Sequence, residues 1–405
     1  MTSGRRVRLA KTLHSVIDKV YCLKNLRKAS ARVCANKGAA GLDGMSVRQW
    51  RAHEEQNLAE LRRTLLENRY RTAPVKRVYI PKPGSSKRRP LGIPVVRERA
   101  CQQAVQQILS PVFEEMFFKD SHGFRPGRST HTAARRIEEL RRQGYRYVVD
   151  LDIENFFGCV DHELLLRLVR KVVKDRRVLG LIRGWLKAGV LEEGQIRYET
   201  SGTPQGGVIS PLLSNIYLTP FDLAMSKAGW TIVRYADDVL ILCRSREEAE
   251  SALAVARETL GRLKLRLSEE KTKVSSFQEG FDFLGFHFGV RSRGVGRKSL
   301  RALHQKVRHV TRRQQGDRPL PEVIADLNPI VRGWGQYHRK GQNKGLFRQL
   351  DRWIRNRVRA YKRRRWRDRG RWKFFSAEEL AKLGLFSLHQ LIVGSGQLEL
   401  FGGSP

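Results

Sequence analysis

Cysteine is scarce in this chain, acids are outnumbered, and long apolar runs are missing. Five cysteines (Cys22, Cys34, Cys101, Cys159 and Cys243) are scattered through 405 residues, never spaced as Cys-x-x-Cys. That excludes a disulfide framework and a zinc knuckle, and predicts free thiols in a reducing compartment, the cytoplasm. No apolar run reaches the roughly 18 residues of a membrane-crossing helix, so no membrane partner is read. The first 20 residues are basic but lack the apolar core and cleavage site of a secretory signal. Acids number 40 against 79 lysines and arginines, a formal charge of +39. With 40% hydrophobic residues the chain is too apolar for a disordered tail. A folded protein this basic is read as the partner of a polyanion, RNA or DNA.

Leu13, Ile17, Val20 and Tyr21 recur at helical spacing, as do Leu58, Leu61, Leu65 and Leu66, and a glycine-rich loop, NKGAAGLDG, lies between them at 36–44. Residues 75–94 read as a basic hairpin, two strands around a Pro/Gly/Ser turn. Strands near 146–153 and 231–242 lie among helical stretches at 97–118, 130–143, 161–188 and 246–264, a pattern that predicts an α+β region up to about residue 290. Beyond 300, residues 301–315 and 346–366 read as basic helices joined by a proline-containing stretch, 316–329. The segment 352–373 is dense in arginine and is interleaved with Trp353, Tyr361, Trp366 and Trp372. It offers nucleic acid both phosphate partners and stacking surfaces, against the plainer reading of a solvated helix anchored by its aromatics.

The chemistry starts at residues 231–242, TIVRYADDVLIL. Asp237 and Asp238 sit between two apolar strands, although aspartate disfavours strands and adjacent like charges repel. A divalent cation explains such a pair if a second acidic strand end lies beside it. Residues 147–157, YVVDLDIENFF, supply that end in Asp152, with Asp150 on the same face. Three carboxylates around two Mg²⁺ or Mn²⁺ ions form a phosphoryl-transfer site. The plainer alternative is a solvated Asp-Asp turn.

Tyr235-Ala236-Asp237-Asp238 and the motifs around it resemble the group II intron-encoded reverse transcriptase/maturase family. The motifs run in the family's order: NKGAAGLDG (36–44), YIPKPGSSKRRPLGIP (79–94), SHGFRPGRST (121–130), VDLDIENFF (149–157), SGTPQGGVISPLLSNIYL (201–218), YADD (235–238), LSEEKTKV (267–274), FDFLGF (281–286) and LNPIVRGWGQYHR (327–339). The resemblance implies an α+β right-hand polymerase followed by an α-helical thumb/maturase domain. Its parts would be a fingers extension (1–75), fingers and palm (76–290), thumb/maturase (291–375) and a C-terminal tail (376–405). It implies metal contacts at Asp152, Ile153, Asp237 and Asp238, and a proton-donating Lys271. Lys82, Arg89 and Arg125 would meet the triphosphate, Gln205 would face template and nucleotide, and Phe283, Leu284 and Gly285 would grip the primer. Phe157 would lie under the sugar and select dNTPs. The implied partners are a structured intron RNA, an RNA template, and a DNA primer or target.

The sequence departs from the family at Gly158, where an aspartate is common, which predicts altered packing rather than inactivity. Nothing after 375 offers the cysteines and histidines of an H-N-H nuclease, so that domain is expected to be absent. Two other readings stay open: an RNA-binding splicing factor with a relic polymerase site, and a related reverse transcriptase recruited to phage defence or repair.

Overall fold

The computed structural model describes residues 12–81, 88–192, 195–197, 202, 206–312, 318–363 and 376–392. The chain forms two compact units, Met1–Ser275 and Ser276–Pro405.

The first unit begins with helices α1 (Ile17–Tyr21), α2 (Leu23–Ala35), α3 (Val47–Ala52) and α4 (Glu54–Leu66). The glycine-rich segment stays a loop, and α3 starts at a capping box in which Ser46 and Gln49 exchange side-chain-to-backbone hydrogen bonds. The basic hairpin follows as β1 (Val75–Pro81) and β2 (Arg88–Ile93), paired antiparallel with Ile80 opposite Arg89. The long helix α5 (Val96–Glu114) is buried along much of its length, with α2 packed along it. Helix α6 (Thr130–Arg142) leads to β3 (Tyr147–Leu151) and the single turn α7 (Phe156–Cys159).

The stretch 161–188, read as one helical run, is two helices, α8 (His162–Arg170) and α9 (Arg176–Leu186). The break is at Asp175, whose Oδ1 accepts from the backbone N–H groups of Arg177 and Val178 and so starts α9 anew. Its Oδ2 accepts from Val16 and Ile17 N–H at 2.8 and 2.9 Å, so one buried carboxylate caps two helices. Strands β4 (Val190–Glu192) and β5 (Gln195–Arg197) complete a four-stranded sheet of order β2-β1-β4-β5.

Helix α10 (Ser210–Lys227) is buried nearly all round. After it come β6 (Thr231–Tyr235), β7 (Asp238–Cys243), α11 (Arg246–Arg262) and β8 (Lys273–Ser276). The second sheet has the order β6-β7-β3-β8, with α6, α10 and α11 packed on its strands. Val239, Leu240, Ile241 and Leu242 of β7 are at most 1% exposed. Burying each contributes about 1.5–3 kcal/mol. Their sum outweighs the ~1–4 kcal/mol of repulsion between two neighbouring carboxylates. The apolar strand can therefore hold both aspartates at its tip.

The second unit opens with a small antiparallel sheet of order β11-β10-β9, made by β9 (Phe281–Phe283), β10 (Phe286–Phe288) and β11 (Arg293–Val295). It groups with the helices that follow as one compact unit. These helices are α12 (Arg297–Val310), α13 (Leu320–His338), α14 (Lys344–Arg363) and α15 (Ala377–Lys382). Much of the stretch read as a linker, 316–329, is the first half of α13. Pro321 lies in the first turn, where a missing N–H costs nothing, and the helix carries Pro329 within it. Leu303, Val307, Ile324, Leu327, Phe347 and Ile354 are among its core residues. Tyr361 is buried in that core and Trp353 packs on His304 with ring centroids 4.4 Å apart. Buried Tyr361 offers no stacking surface, which corrects the reading for it, whereas Trp353 is half-buried; Trp366 and Trp372 lie outside the described residues.

Candidate active site

The β6–β7 connection is a two-residue turn closed by the pair Tyr235 and Asp238. Ala236 occupies it with φ of 58°, a conformation that residues with a side chain avoid. Its surroundings impose it. A methyl group at Gly123 would lie 2.3 Å from the Ala236 nitrogen, so only glycine lets that segment pack against the turn. Arg234, wholly buried, donates from Nη1 to the Ala236 carbonyl (2.9 Å) and to Asn215 Oδ1 (3.0 Å). Its Nε and Nη2 donate to Asp222 Oδ1 and Oδ2 at 2.7 and 2.5 Å, and Asn215 Nδ2 donates to the Gly123 carbonyl at 2.9 Å.

β3 lies beside β7 with Leu151 opposite Val239; one step beyond that ladder lie Asp152 on one strand and Asp238 on the other. The segment after α11 laces the β3 end in place: Ser268 N–H donates to the Asp152 carbonyl (2.8 Å), and Ile153 bridges Leu267. Lys271 Nζ donates to Asp152 Oδ1 at 3.0 Å.

The acids feel one another. Burial, then repulsion from Asp237, Asp150 and Asp152, pushes the Asp238 carboxyl up to about 7, against the pull of Arg89. Asp238 reaches solvent at its tip, so the repulsion that a cation would relieve is the part that bears on chemistry. Asp237 is also raised, first by burial and then by Asp152, with Arg89 and Arg234 opposing. The structure thus brings Asp152, Asp237, Asp238 and the finger-strand Arg89 within electrostatic reach of one another.

The donors are hard oxygens, with the Ile153 carbonyl adjoining, and this chemistry fits Mg²⁺ or Mn²⁺. The closed clamp of three carboxylates read from sequence needs correction: among the described residues no group of three metal-ligating side chains is assembled. Asp152 is engaged by Lys271. Mg²⁺ commonly takes one or two carboxylates from the protein and the remainder from substrate phosphates and water.

The Phe157 ring, half-buried, meets Phe156 edge-on at 5.1 Å. Gly158 fits because any Cβ there would lie 2.3 Å from Asn155 Nδ2; a larger residue would displace the Asn155 side chain. Gly202 has its missing Cβ 2.9 Å from the Phe157 carbonyl, and its N–H donates to the Val160 carbonyl (2.9 Å). A Cβ at Gly206 would come closer still, 2.4 Å from the carbonyl of Gly92 on β2. Glycines at 202 and 206 therefore let this loop meet the Phe157 turn at one point and the finger hairpin at another. Gln205 itself, like Lys82, lies outside the described residues.

Arg125 is not part of the site. Its guanidinium is buried and donates to both oxygens of Glu114 and to the carbonyls of Phe118 and Ser121, so its charge is engaged inside the fold. It builds the loop that carries Gly123. Within the second unit, Leu284 and Gly285 form the β9–β10 turn, both with positive φ, and Tyr337 Oη donates to the Leu284 carbonyl (2.8 Å). Sequence reasoning missed Arg234, Asp222 and Asn215. The signal was there: an arginine inside an apolar strand and an aspartate inside an apolar helix, opposite in sign.

Residues 80–288 match the family model described as reverse transcriptase (RNA-dependent DNA polymerase), and residues 300–377 match group II intron, maturase-specific domain. The chain is 36% identical over 309 residues to Protein YkfC of Escherichia coli (strain K12), covering 66% of this chain and 81% of that one. It is 31% identical over 332 residues to the group II intron-encoded protein LtrA of Lactococcus lactis subsp. cremoris, covering 65% of this chain. The chain spans 55% of the length of LtrA. Among solved structures, a chain of a "Partial Cas6-RT-Cas1--Cas2 complex" aligns with 25% identity and a TM-score of 0.39, over 62% of this chain and 42% of that chain.

Proposed function

We propose, from the premise that this chain belongs to the reverse transcriptase (RNA-dependent DNA polymerase) family and carries a group II intron maturase-specific domain, that it extends a DNA primer with dNTPs on an RNA template. One observation carries the reading: the β3 end with Asp152 and the β6–β7 turn with Asp237 and Asp238 lie at the same end of one sheet, in the field of Arg89. Divalent metal ions bound there would activate the primer 3′-hydroxyl and balance charge on the departing pyrophosphate. The chain's own groups supply the rest. Arg89 offers positive charge to the triphosphate, and Lys82, seven residues earlier in the sequence, would add a second cation. Lys271, already donating to Asp152, is the proton source for the pyrophosphate. Phe157 stands under the sugar and leaves no room for a 2′-hydroxyl. Phe157→Ala should therefore lower the dNTP/NTP ratio of kcat/KM by about 10- to 200-fold. An unchanged ratio would remove Phe157 from that role.

The test is primer extension by the purified protein on an RNA template with Mg²⁺ and dNTPs. Synthesis of DNA supports the reading; tight RNA binding without synthesis favours the splicing factor with a relic site.

A second role, binding intron RNA to assist splicing and mobility, rests on the second unit. There α14 buries Phe347, Leu350, Ile354 and Val358 and turns Arg348 and Arg352 to solvent, while α12 exposes Arg297, Lys298 and Arg301 to differing extents. If about 6–10 phosphates are contacted, affinity for RNA should fall by some 10³–10⁵ between about 50 and 200 mM salt. A flat response in filter-binding titrations would sink this role for the basic faces. No described helix is long and apolar enough to cross a membrane.

A further inference from the structure

We propose that Arg234, held by Asp222 and Asn215, is a positioning residue that sets the Ala236–Asp237 peptide and so aims the Asp237 carboxylate; the inference rests on the polymerase reading above. A two-residue hairpin turn has two common forms, types I′ and II′, which share a positive φ at the first position and differ by a flip of the central peptide. Here that peptide is Ala236–Asp237. Ala236 has φ of 58° and Asp237 is not among the residues with positive φ, so the turn is of the II′ kind. That form favours glycine first, and this chain has alanine. Ladder pairing ends at Tyr235 and Asp238 and leaves the peptide's orientation open.

Arg234 closes the choice. Its Nη1 takes the Ala236 carbonyl, the oxygen that a flip would turn away. The same guanidinium is gripped by Asp222 through two nitrogens and by Asn215 through Nη1, and Asn215 also holds the Gly123 carbonyl. Gly123 in turn packs closely against the Ala236 nitrogen. Three separate elements, β6, α10 and the segment before α6, thus converge on one peptide. Arg234 and Asp222 have no exposed surface at all. A fully buried ion pair contributes little to stability compared with an apolar pair of the same shape, so stability does not account for its presence. Fixing one orientation of a carboxylate next to Asp152 does.

The experiment compares the unmodified protein with Arg234→Met, Arg234→Met/Asp222→Leu and Arg234→Lys, reading thermal unfolding, Mn²⁺ binding by electron paramagnetic resonance, and primer extension. Arg234→Met alone should unfold at a much lower temperature, since it strands a buried aspartate. The double variant should regain thermal stability, yet bind Mn²⁺ about 10- to 100-fold more weakly. Its kcat should fall by about 10²-fold, with KM for dNTP little changed. Arg234→Lys keeps the charge but loses the fork, and should shift Mn²⁺ binding in the same direction whether or not the double variant folds. A folded double variant, or an Arg234→Lys protein, that binds Mn²⁺ and extends primers like the unmodified protein would overturn the inference. An unmodified protein that neither binds Mn²⁺ nor extends primers would overturn the polymerase reading, and this inference with it.

Discussion

Asp237→Asn should leave the protein folded and slow primer extension by about 10³-fold or more. A carboxylate that helps hold catalytic cations supplies several kcal/mol of transition-state stabilisation, and each ~1.4 kcal/mol is a factor of ten in rate. Stability should move the other way. The Asp237 carboxyl is raised by burial and by Asp152, so ionising it costs the folded state more than the unfolded one. For an acid raised on folding, the native state binds more protons, and stability falls as pH climbs through the folded value. Asparagine has the same shape and no charge, so it removes that penalty. Near pH 7 without divalent cations, the melting temperature of Asp237→Asn should equal or exceed that of the unmodified protein. Single-turnover extension and melting scans check both halves. Extension above a tenth of the normal rate would count against the placement of Asp237, and early melting would give it a structural role instead.

The second large effect falls on stability and lies away from the chemistry. Asp175→Ala should destabilise the first unit by about 3–5 kcal/mol. One cap is worth roughly 0.5–2 kcal/mol, and Asp175 serves two helices with four backbone N–H groups, two of them in the N-terminal segment some 159 residues away. Each buried N–H left without an acceptor costs a further ~1–3 kcal/mol, part of which water entry and relaxation recover. The pH dependence has the opposite sign to that of Asp237. Burial alone would raise the Asp175 carboxyl, but the N–H groups of Val16, Ile17, Val178 and Arg177 outweigh it and hold it below the usual carboxylate range. A depressed acid contributes fully above its unfolded value near 4 and loses that contribution as pH falls through the folded one. Urea unfolding at pH 7 and near pH 3 measures it: the gap between unmodified protein and Asp175→Ala should be wide at pH 7 and narrower in acid. Equal gaps at both would mean that the hydrogen bonds do not depend on the charge.

Much of the site is legible in the sequence because its residues contradict their surroundings. Acids at the ends of apolar strands have few explanations, so Asp152, Asp237 and Asp238 stood out, and β3 and β7 do lie side by side. Arg89 was legible through the hairpin motif that carries it. Arg125 misled for a related reason: a motif marks a residue as important without saying whether a phosphate or a neighbouring glutamate uses its charge. Arg234 was overlooked inside the same motif as the aspartates, because the motif drew attention to the acids while the arginine's partner, Asp222, lies on the preceding helix. The misreading of α13 came from treating proline as a breaker wherever it occurs, although the first helical turn tolerates it. The junction at 171–175 was opaque because its cause, Asp175 reaching back to Val16 and Ile17, is a contact between residues that no local pattern connects.

That same contact bears on how the protein emerges from the ribosome. Leu13 pairs with the backbone of Val172 and Lys174, and Val16 and Ile17 take their acceptor from Asp175. The N-terminal N–H groups of α1 therefore lack their native acceptor until a residue about 160 positions downstream has been made. At about 5–20 residues per second the N–H groups of Val16 and Ile17 wait on the order of 8–30 seconds for their acceptor. Translation speed across those residues, or a chaperone at the exit tunnel, then governs how much of the chain reaches its native form.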